Sequence, residues 1–266
     1  MNILERIIEH KKTEVEVAKT LKSVAELKAM PLFSMPCLSL TAFLLDESQT
    51  GIIAEYKRQS PSKGVINNTS TVNDVTNAYA QNGASGISIL TDSHFFGGSL
   101  VDLLAARDAT LNKVPLLRKD FMIDEYQIIE AKAYGASVIL LIAACLSPDK
   151  VKELAIVAKS IGLEVLLEIH NEEELGHICD DVDLVGVNNR NLKDFVVNVQ
   201  ASAQLIQKIP KNKVAVAESG INDTDTIVFL RKAGFKGFLI GEHFMKQPDP
   251  MIAFANFVNE LNTKER

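Results

Sequence analysis

The sequence predicts one closed (β/α)8 TIM barrel of class α/β over residues 1–266, with residues 1–48 as an N-terminal helical extension. Three observations carry this reading. Eight short apolar runs follow one another after residue 50, helical periodicity fills the segments between them, and polar residues gather at the ends of seven of the eight runs. Runs without polar alternation suit strands buried on both faces. Short links between strands and helices require parallel strands joined by right-handed crossovers.

The runs are GIIAEYK (51–57), GISILTD (86–92), VPLLRKD (114–120), SVILLIA (137–143), EVLLEIH (164–170), LVGVNN (184–189), VAVAES (214–219) and GFLIGE (237–242). Between the first two, Val72, Val75, Ala78, Tyr79 and Asn82 recur at helical spacing up to Gly83. DEYQIIEAKAYGA opens on Asp124 as an N-cap and ends at Gly135. SPDKVKELAIVAKSIG has Ser147 as N-cap, Pro148 at the first helical position and Gly162 at the stop, and NDTDTIVFLRKAGF repeats the pattern. An open doubly wound sheet is the alternative, but it ordinarily carries a glycine-rich dinucleotide loop, and no GxGxxG follows IIAEYK. Residues 2–29 are expected to be helical, and PLFSMPCLSL to be an irregular connection.

Composition narrows the function classes. The chain is 47% hydrophobic and 23% charged, as globular proteins are. A net charge of −6 and a pI near 5.5 argue against general nucleic-acid binding, so an anionic ligand needs a local cationic cluster. Cys37, Cys145 and Cys179 are too scattered for a disulfide framework, which points to a reducing compartment, the cytoplasm. MNILERIIEHKK lacks the apolar centre of a signal peptide, and no segment approaches the ~18 apolar residues of a membrane span. No strong exposed apolar stripe is legible, which is compatible with a monomer.

Barrel enzymes work at the C-terminal ends of their strands. Here those ends carry Glu55 and Lys57, Thr91 and Asp92, Lys119 and Asp120, Glu168 and His170, Asn188 to Arg190, Glu218 and Ser219, and Glu242. Any one of them could simply be solvated. As a set they point to chemistry, because a buried unpaired charge costs several kcal/mol against a domain stability of about 5–15 kcal/mol. Glu55 and Lys57, two residues apart in a strand, share a face. AESGI and LIGEHF fall where the seventh and eighth strands of such barrels often hold a phosphate on backbone N–H groups. Gly220 and Gly241 would admit the anion and Ser60 of SPSKG could donate to it, although each glycine alone equally suits a tight turn.

His10, His94, His170, His177 and His243 show no metal-ligand spacing, so no metal is expected, and there is no Walker or GxSxG motif. Cys145 is expected inside an apolar strand as a core residue. Phe95 and Phe96 of DSHFFGGS suit either loop packing or a clamp on a flat ligand.

IIAEYKRQSPSKG, ISILTDSHFFGGS, PLLRKDFMID, VLLEIH, VGVNNRNL, VAESGI and FLIGEHFM, in that order from residue 51 to about 245, resemble the indole-3-glycerol-phosphate synthase family of tryptophan biosynthesis. The resemblance implies closure of a ring on 1-(2-carboxyphenylamino)-1-deoxyribulose 5-phosphate, with loss of carbon dioxide and water and without a cofactor. It implies Lys119 as general acid toward the carbonyl, Lys57 as partner of the substrate carboxylate, and Glu168 as general base. The division of labour between Lys57 and Glu168 stays open. Glu55 and Glu218 would orient the lysines and bind substrate hydroxyls, Asn188 and Arg190 would hold the reacting region, and Phe96 would meet the aryl ring. Ser60, Ser219, Gly220, Gly241 and the backbone of Glu242 map to the phosphate. Tyr56 and His243 depart from the family's usual residues; Tyr56 is expected to face the helices, and His243 touches only the phosphate periphery. The alternatives are a neighbouring barrel isomerase, a class I aldolase with a Schiff-base lysine, and a catalytically silent binding barrel.

Overall fold

Every strand of the barrel puts alternate side chains on opposite sides of one closed sheet, and that parity organises the molecule. The structure, a computed structural model, describes residues 3–190 and 196–264. Asn2 of the expected first helix, and Asn191 and Leu192 of VGVNNRNL, lie outside them. The strands are β1 (Ile52–Tyr56), β2 (Gly86–Leu90), β3 (Leu116–Lys119), β4 (Val138–Ile142), β5 (Glu164–Ile169), β6 (Leu184–Asn188), β7 (Val214–Glu218) and β8 (Gly237–Ile240). They pair in sequence order, all parallel, and β8 returns to β1 to close the barrel.

The helices begin where local chemistry directs. Thr71, Asp124, Ser147 and Asp223 each accept a backbone N–H and open helices Val72–Gln81, Glu125–Ala133, Pro148–Ser160 and Thr224–Ala233. Each such cap stabilises its helix by about 1 kcal/mol.

Parity divides the apolar residues between two cores. One set, including Ile52, Ala54, Tyr56, Ile87, Ile89, Val165, Leu167, Val185 and Phe238, packs outward against the helices. Tyr56 lies there as expected, its hydroxyl donating to the Ser70 carbonyl at 3.0 Å. The other set, Ile53, Leu117, Val138, Leu140, Ile142, Leu166, Leu184, Val214, Val216 and Leu239, fills the barrel. Leu40 and Leu44 join this inner set from below. They belong to a short helix, Leu40–Leu45, inside the segment expected to be irregular. Glycines at the strand starts make room for it: a Cβ on Gly86 would lie 2.7 Å from Leu40, and one on Gly237 would lie 2.9 Å from Leu44. The helix therefore plugs the N-terminal mouth. Glu164, at the start of β5, holds it by accepting from Ser39 Oγ at 2.5 Å and from Thr41 N at 3.0 Å.

The expected first helix is two, α1 (Ile3–Leu21) and α2 (Val24–Lys28), because Ser23 and Glu26 form a capping box that starts the second. Cys145 is also corrected: it lies in a 3-10 turn (Ala143–Cys145) just after β4, half-buried, rather than within the strand.

From α1, Lys11 reaches the opposite, C-terminal end of the barrel. Its ammonium is 1% exposed and lies 2.9 Å from each of Asp92 Oδ2, Asp120 Oδ1 and Glu14 Oε2. The approach to Asp92 Oδ2 is an ion contact rather than an aligned hydrogen bond. Burial alone would neutralise Lys11, but Asp120, Asp92 and Glu14 hold it firmly cationic. Burial likewise works against ionising Asp120, yet Lys11 and Arg118 bring its carboxyl down to about 2. The extension thus closes the barrel floor with apolar atoms and ties α1 to the loops after β2 and β3 with charge. Replacing Lys11→Met would leave Asp92 and Asp120 buried without their cation. Urea unfolding should show a loss of about 3–5 kcal/mol.

Candidate active site

Strand β3 separates its consecutive side chains by function. Arg118 and Asp120 point outward, where Arg118 contacts Glu130 at 2.9 Å, Asp120 at 3.2 Å and Thr91 Oγ1 at 3.0 Å. Between them Lys119 points into the barrel mouth. There its Nζ lies 3.2 Å from Glu168 Oε2 on β5 and 3.3 Å from Glu218 Oε2 on β7. Lys57, just beyond β1, donates to Glu55 Oε1 at 2.7 Å. Asn188 at the end of β6 donates to Glu168 Oε1 at 2.9 Å, and its own oxygen accepts from the Arg190 backbone at 3.0 Å. The catalytic set expected from the sequence (Glu55, Lys57, Lys119, Glu168, Asn188 and Glu218) therefore converges on one mouth.

His170 belongs to the same group, although only its place at a strand end marked it in the sequence. It lies two residues after Glu168, with Nε2 3.1 Å from Glu168 Oε1 in an unaligned ion contact. Its Nδ1 faces Glu174 Oε2 at 3.3 Å. The i,i+2 parity with Glu168 and the i,i+4 spacing to Glu174 were the signals that could have revealed it.

The protonation states follow from burial and partners. Burial opposes a charge on Lys119, but Glu168, Glu218 and Glu55 overcome it and keep the ammonium protonated. Burial opposes ionisation of Glu168, yet Lys119, His170 and Asn188 hold it well below the ordinary carboxylate range. Glu55 is likewise held low, against burial, by Lys57 and Lys119. Burial lowers the basicity of His170, but Glu168 and Glu174 raise it to about 10, so it is cationic at neutral pH. Glu218 differs: burial pushes it up to about 7, against the pull of Lys119 and with a further push from Glu168 and Glu55. The Cys145 thiol, raised to about 12 by burial with Glu168 and Glu174 nearby, is no nucleophile.

Two glycines make this packing possible. A Cβ on Gly241 would stand 2.5 Å from Glu55 Oε1, and one on Gly186 would stand 2.1 Å from Glu218 Oε1. Gly241 was expected at a phosphate; its visible constraint is room for Glu55. Gly186 was not singled out from the sequence.

AESGI and LIGEHF, where an anion was expected, lie at the ends of β7 and β8. Ser219 and Gly220 follow β7 with φ of 67° and 69°, and Ser219 is a left-handed non-glycine residue of the kind that marks functional turns. Asn189 holds the turn by donating to the Ser219 carbonyl at 2.7 Å. Glu242, opening the short helix after β8, draws Arg190 to 3.6 Å and Lys63 to 3.9 Å. Buried Arg190 Nε has no hydrogen-bond partner among the described residues. Ser60 and Lys63 belong to a small ribbon in which Gln59–Ser60 pairs with Gly64–Val65, which carries the SPSKG loop toward β8. Lys63 is a cation the sequence reading passed over. Phe96 ends a short helix after β2, Ser93–Phe96, with its ring centroid 6.0 Å from that of Phe121, whereas Phe95 turns away to His10 and His94.

Comparison with known proteins identifies the family and the fold. The family model for indole-3-glycerol phosphate synthase matches residues 4–257. An indole-3-glycerol phosphate synthase from Bacteroides thetaiotaomicron is 46% identical over 98% of this chain and 99% of its own length. One from Aliarcobacter butzleri is 41% identical over 98% of this chain and 100% of its own. Among solved structures, the tryptophan synthase alpha subunit of Legionella pneumophila superposes with a TM-score of 0.63 at 11% identity, over 84% of this chain and 95% of its own, which shows the shared fold.

Because the folded protein binds the Glu218 proton more tightly than an unfolded chain does, Glu218 costs stability as pH rises from the ordinary carboxylate range through 7. Glu218→Gln, which cannot ionise, should gain on the wild type by up to about 3 kcal/mol between pH 5 and pH 8. Denaturant unfolding at the two pH values checks this.

Proposed function

The chain belongs to the indole-3-glycerol phosphate synthase family, a carboxy-lyase family of tryptophan biosynthesis, and on that premise we propose how its residues close the ring. The substrate, 1-(2-carboxyphenylamino)-1-deoxyribulose 5-phosphate, offers a phosphate, an aryl carboxylate and a ketone. The phosphate goes to the turn at Ser219 and Gly220, with Arg190, Lys63, Ser60 and the start of the helix at Glu242 around it. The aryl ring lies against Phe96, and its carboxylate meets Lys57. Anchoring both ends bends the chain so that the ring carbon reaches the ketone, a proximity effect that can supply several kcal/mol.

The observation that carries the reading is Lys119, held cationic within 3.3 Å of both Glu168 and Glu218. As the ring carbon bearing the carboxylate attacks, the ketone oxygen gains negative charge and takes a proton from Lys119. Breaking the bond to the carboxylate releases carbon dioxide and restores the aromatic ring. The new hydroxyl then leaves as water, protonated by Lys57, while Glu168 takes the proton from the neighbouring carbon. Asn188 and His170 orient Glu168 for that step, and Glu55 orients Lys57.

A Schiff-base aldolase needs an uncharged lysine as nucleophile. A lysine held protonated by surrounding carboxylates suits an acid instead. The scattered half-buried thiols and the absence of a long apolar helix among the described residues support a cytoplasmic enzyme. Exposed large apolar residues at separate places, such as Leu21, Val101, Leu111 and Ile252, support a monomer.

Mixing the protein with the substrate should produce the fluorescence of the indole product. Lys119→Ala should lower its rate about 10²–10⁴-fold. Equal rates would remove Lys119 from the acid role, and silence in the wild type would remove the function.

A further inference from the structure

The reaction proposed above has a proton balance that its lysines and single base do not close. Two protons are delivered, one to the ketone oxygen and one to the departing hydroxyl. One is recovered, from the carbon beside the hydroxyl. The substrate carboxylate leaves as neutral carbon dioxide, so each turnover consumes one net proton. Closing the mouth around substrate to exclude water would separate the chemistry from a bulk proton source.

Among the described residues, the group in the mouth best placed to hold that proton is a carboxyl without a cation of its own. Its cations and carboxylates pair off as Lys57 with Glu55 at 2.7 Å, Lys119 with Glu168 at 3.2 Å and His170 with Glu174 at 3.3 Å. Glu218 is left over, sharing Lys119 at 3.3 Å and lying near the carboxylates of Glu168 and Glu55. It is 1% exposed, and its Oε1 is buried without a hydrogen-bond partner among the described residues. A bare carboxylate oxygen in that position is costly, and a protonated one much less so.

We propose that Glu218 is the proton reservoir of the site: it enters the reaction as a carboxylic acid and recharges Lys119 after Lys119 has protonated the ketone. This rests on the ring-closure reading above. In the free protein Oε2 accepts from the Lys119 ammonium, which leaves the proton on Oε1. Once Lys119 has become a neutral amine, rotation of the carboxyl about its last side-chain bond, a soft two-fold torsion, presents the O–H to Nζ. The O–H bond breaks, the amine lone pair takes the proton, and the products are an ammonium and a carboxylate in contact. Proton flow runs this way because an ordinary amine is far more basic than a carboxylate. Gly186 leaves the space this carboxyl occupies, since a methyl there would lie 2.1 Å from Oε1. Gly186 is therefore a positioning residue. Water refills Glu218 when product leaves, and the single stored proton equals the net demand of one turnover.

A single-turnover experiment reads this directly. Wild type in excess is mixed with the carboxyphenylamino-deoxyribulose phosphate in weak buffer with a pH indicator. Indole fluorescence and proton uptake are followed together, before carbon dioxide hydrates and returns a proton. In the wild type product should appear first and proton uptake should lag behind it. In Glu218→Gln, whose amide holds no transferable proton, product should form at least tenfold more slowly and in step with uptake. Uptake in step with product in the wild type, or a lag that survives in Glu218→Gln, would overturn the reservoir. Absence of any indole signal in the wild type would instead overturn the ring-closure reading on which it rests.

Discussion

One ammonium between two buried carboxylates organises the catalytic end of this barrel. Lys119 faces inward because β3 alternates its side chains, and it stays charged chiefly because Glu168 approaches it from β5, with Glu55 also in its field, while Glu218 lies against it from β7. The two carboxylates are chemically equal and electrostatically different. Glu168 has further support from Asn188 and His170, whereas Glu218 has an oxygen over Gly186 with no hydrogen-bond partner among the described residues. One lysine cannot fully compensate two buried acids. The surplus falls on the acid with fewer partners, which is how one pocket comes to hold a base and an acid of the same side-chain type.

The rest of the fold serves the precision of that contact. Neighbours of Lys119 on the chain, Arg118 and Asp120, face outward into a second charge network with Thr91, Glu130 and Lys11. That network immobilises β3 on either side of the working residue. Lys11 arrives from α1, so the N-terminal extension supports the catalytic end at the same time as Leu40 and Leu44 fill its floor. Below the mouth the barrel interior is apolar, which makes each charge pair above it stronger than it would be in water.

Much of this was legible in the sequence, for identifiable reasons. All eight strands were readable because a doubly covered parallel strand must be an apolar run. Their polar ends named Glu55, Lys57, Lys119, Glu168, Asn188 and Glu218, since few other forces place charges beside buried runs. The helix Leu40–Leu45 was missed because its pattern is short and its meaning lies in Gly86 and Gly237, far along the chain. Nothing local distinguishes Lys11 from its neighbour Lys12, and only tertiary contact with Asp92 and Asp120 gives it its role. Gly186 was invisible for a related reason: its function is the space it leaves for a residue one strand away. The roles of Glu168 and Glu218 were assigned by resemblance. Their different protonation arises from partners that converge only in the folded barrel.

The account stands on how protons are distributed among Lys119, Glu168 and Glu218, and neutron diffraction from deuterated crystals at about pH 6 sees them directly. The expected map has three deuterons on Lys119 Nζ, none on Glu168 and one on Glu218, whose carboxyl titrates at about 7. A deuteron on Glu168 with Glu218 bare, or a Lys119 carrying only two, would contradict it.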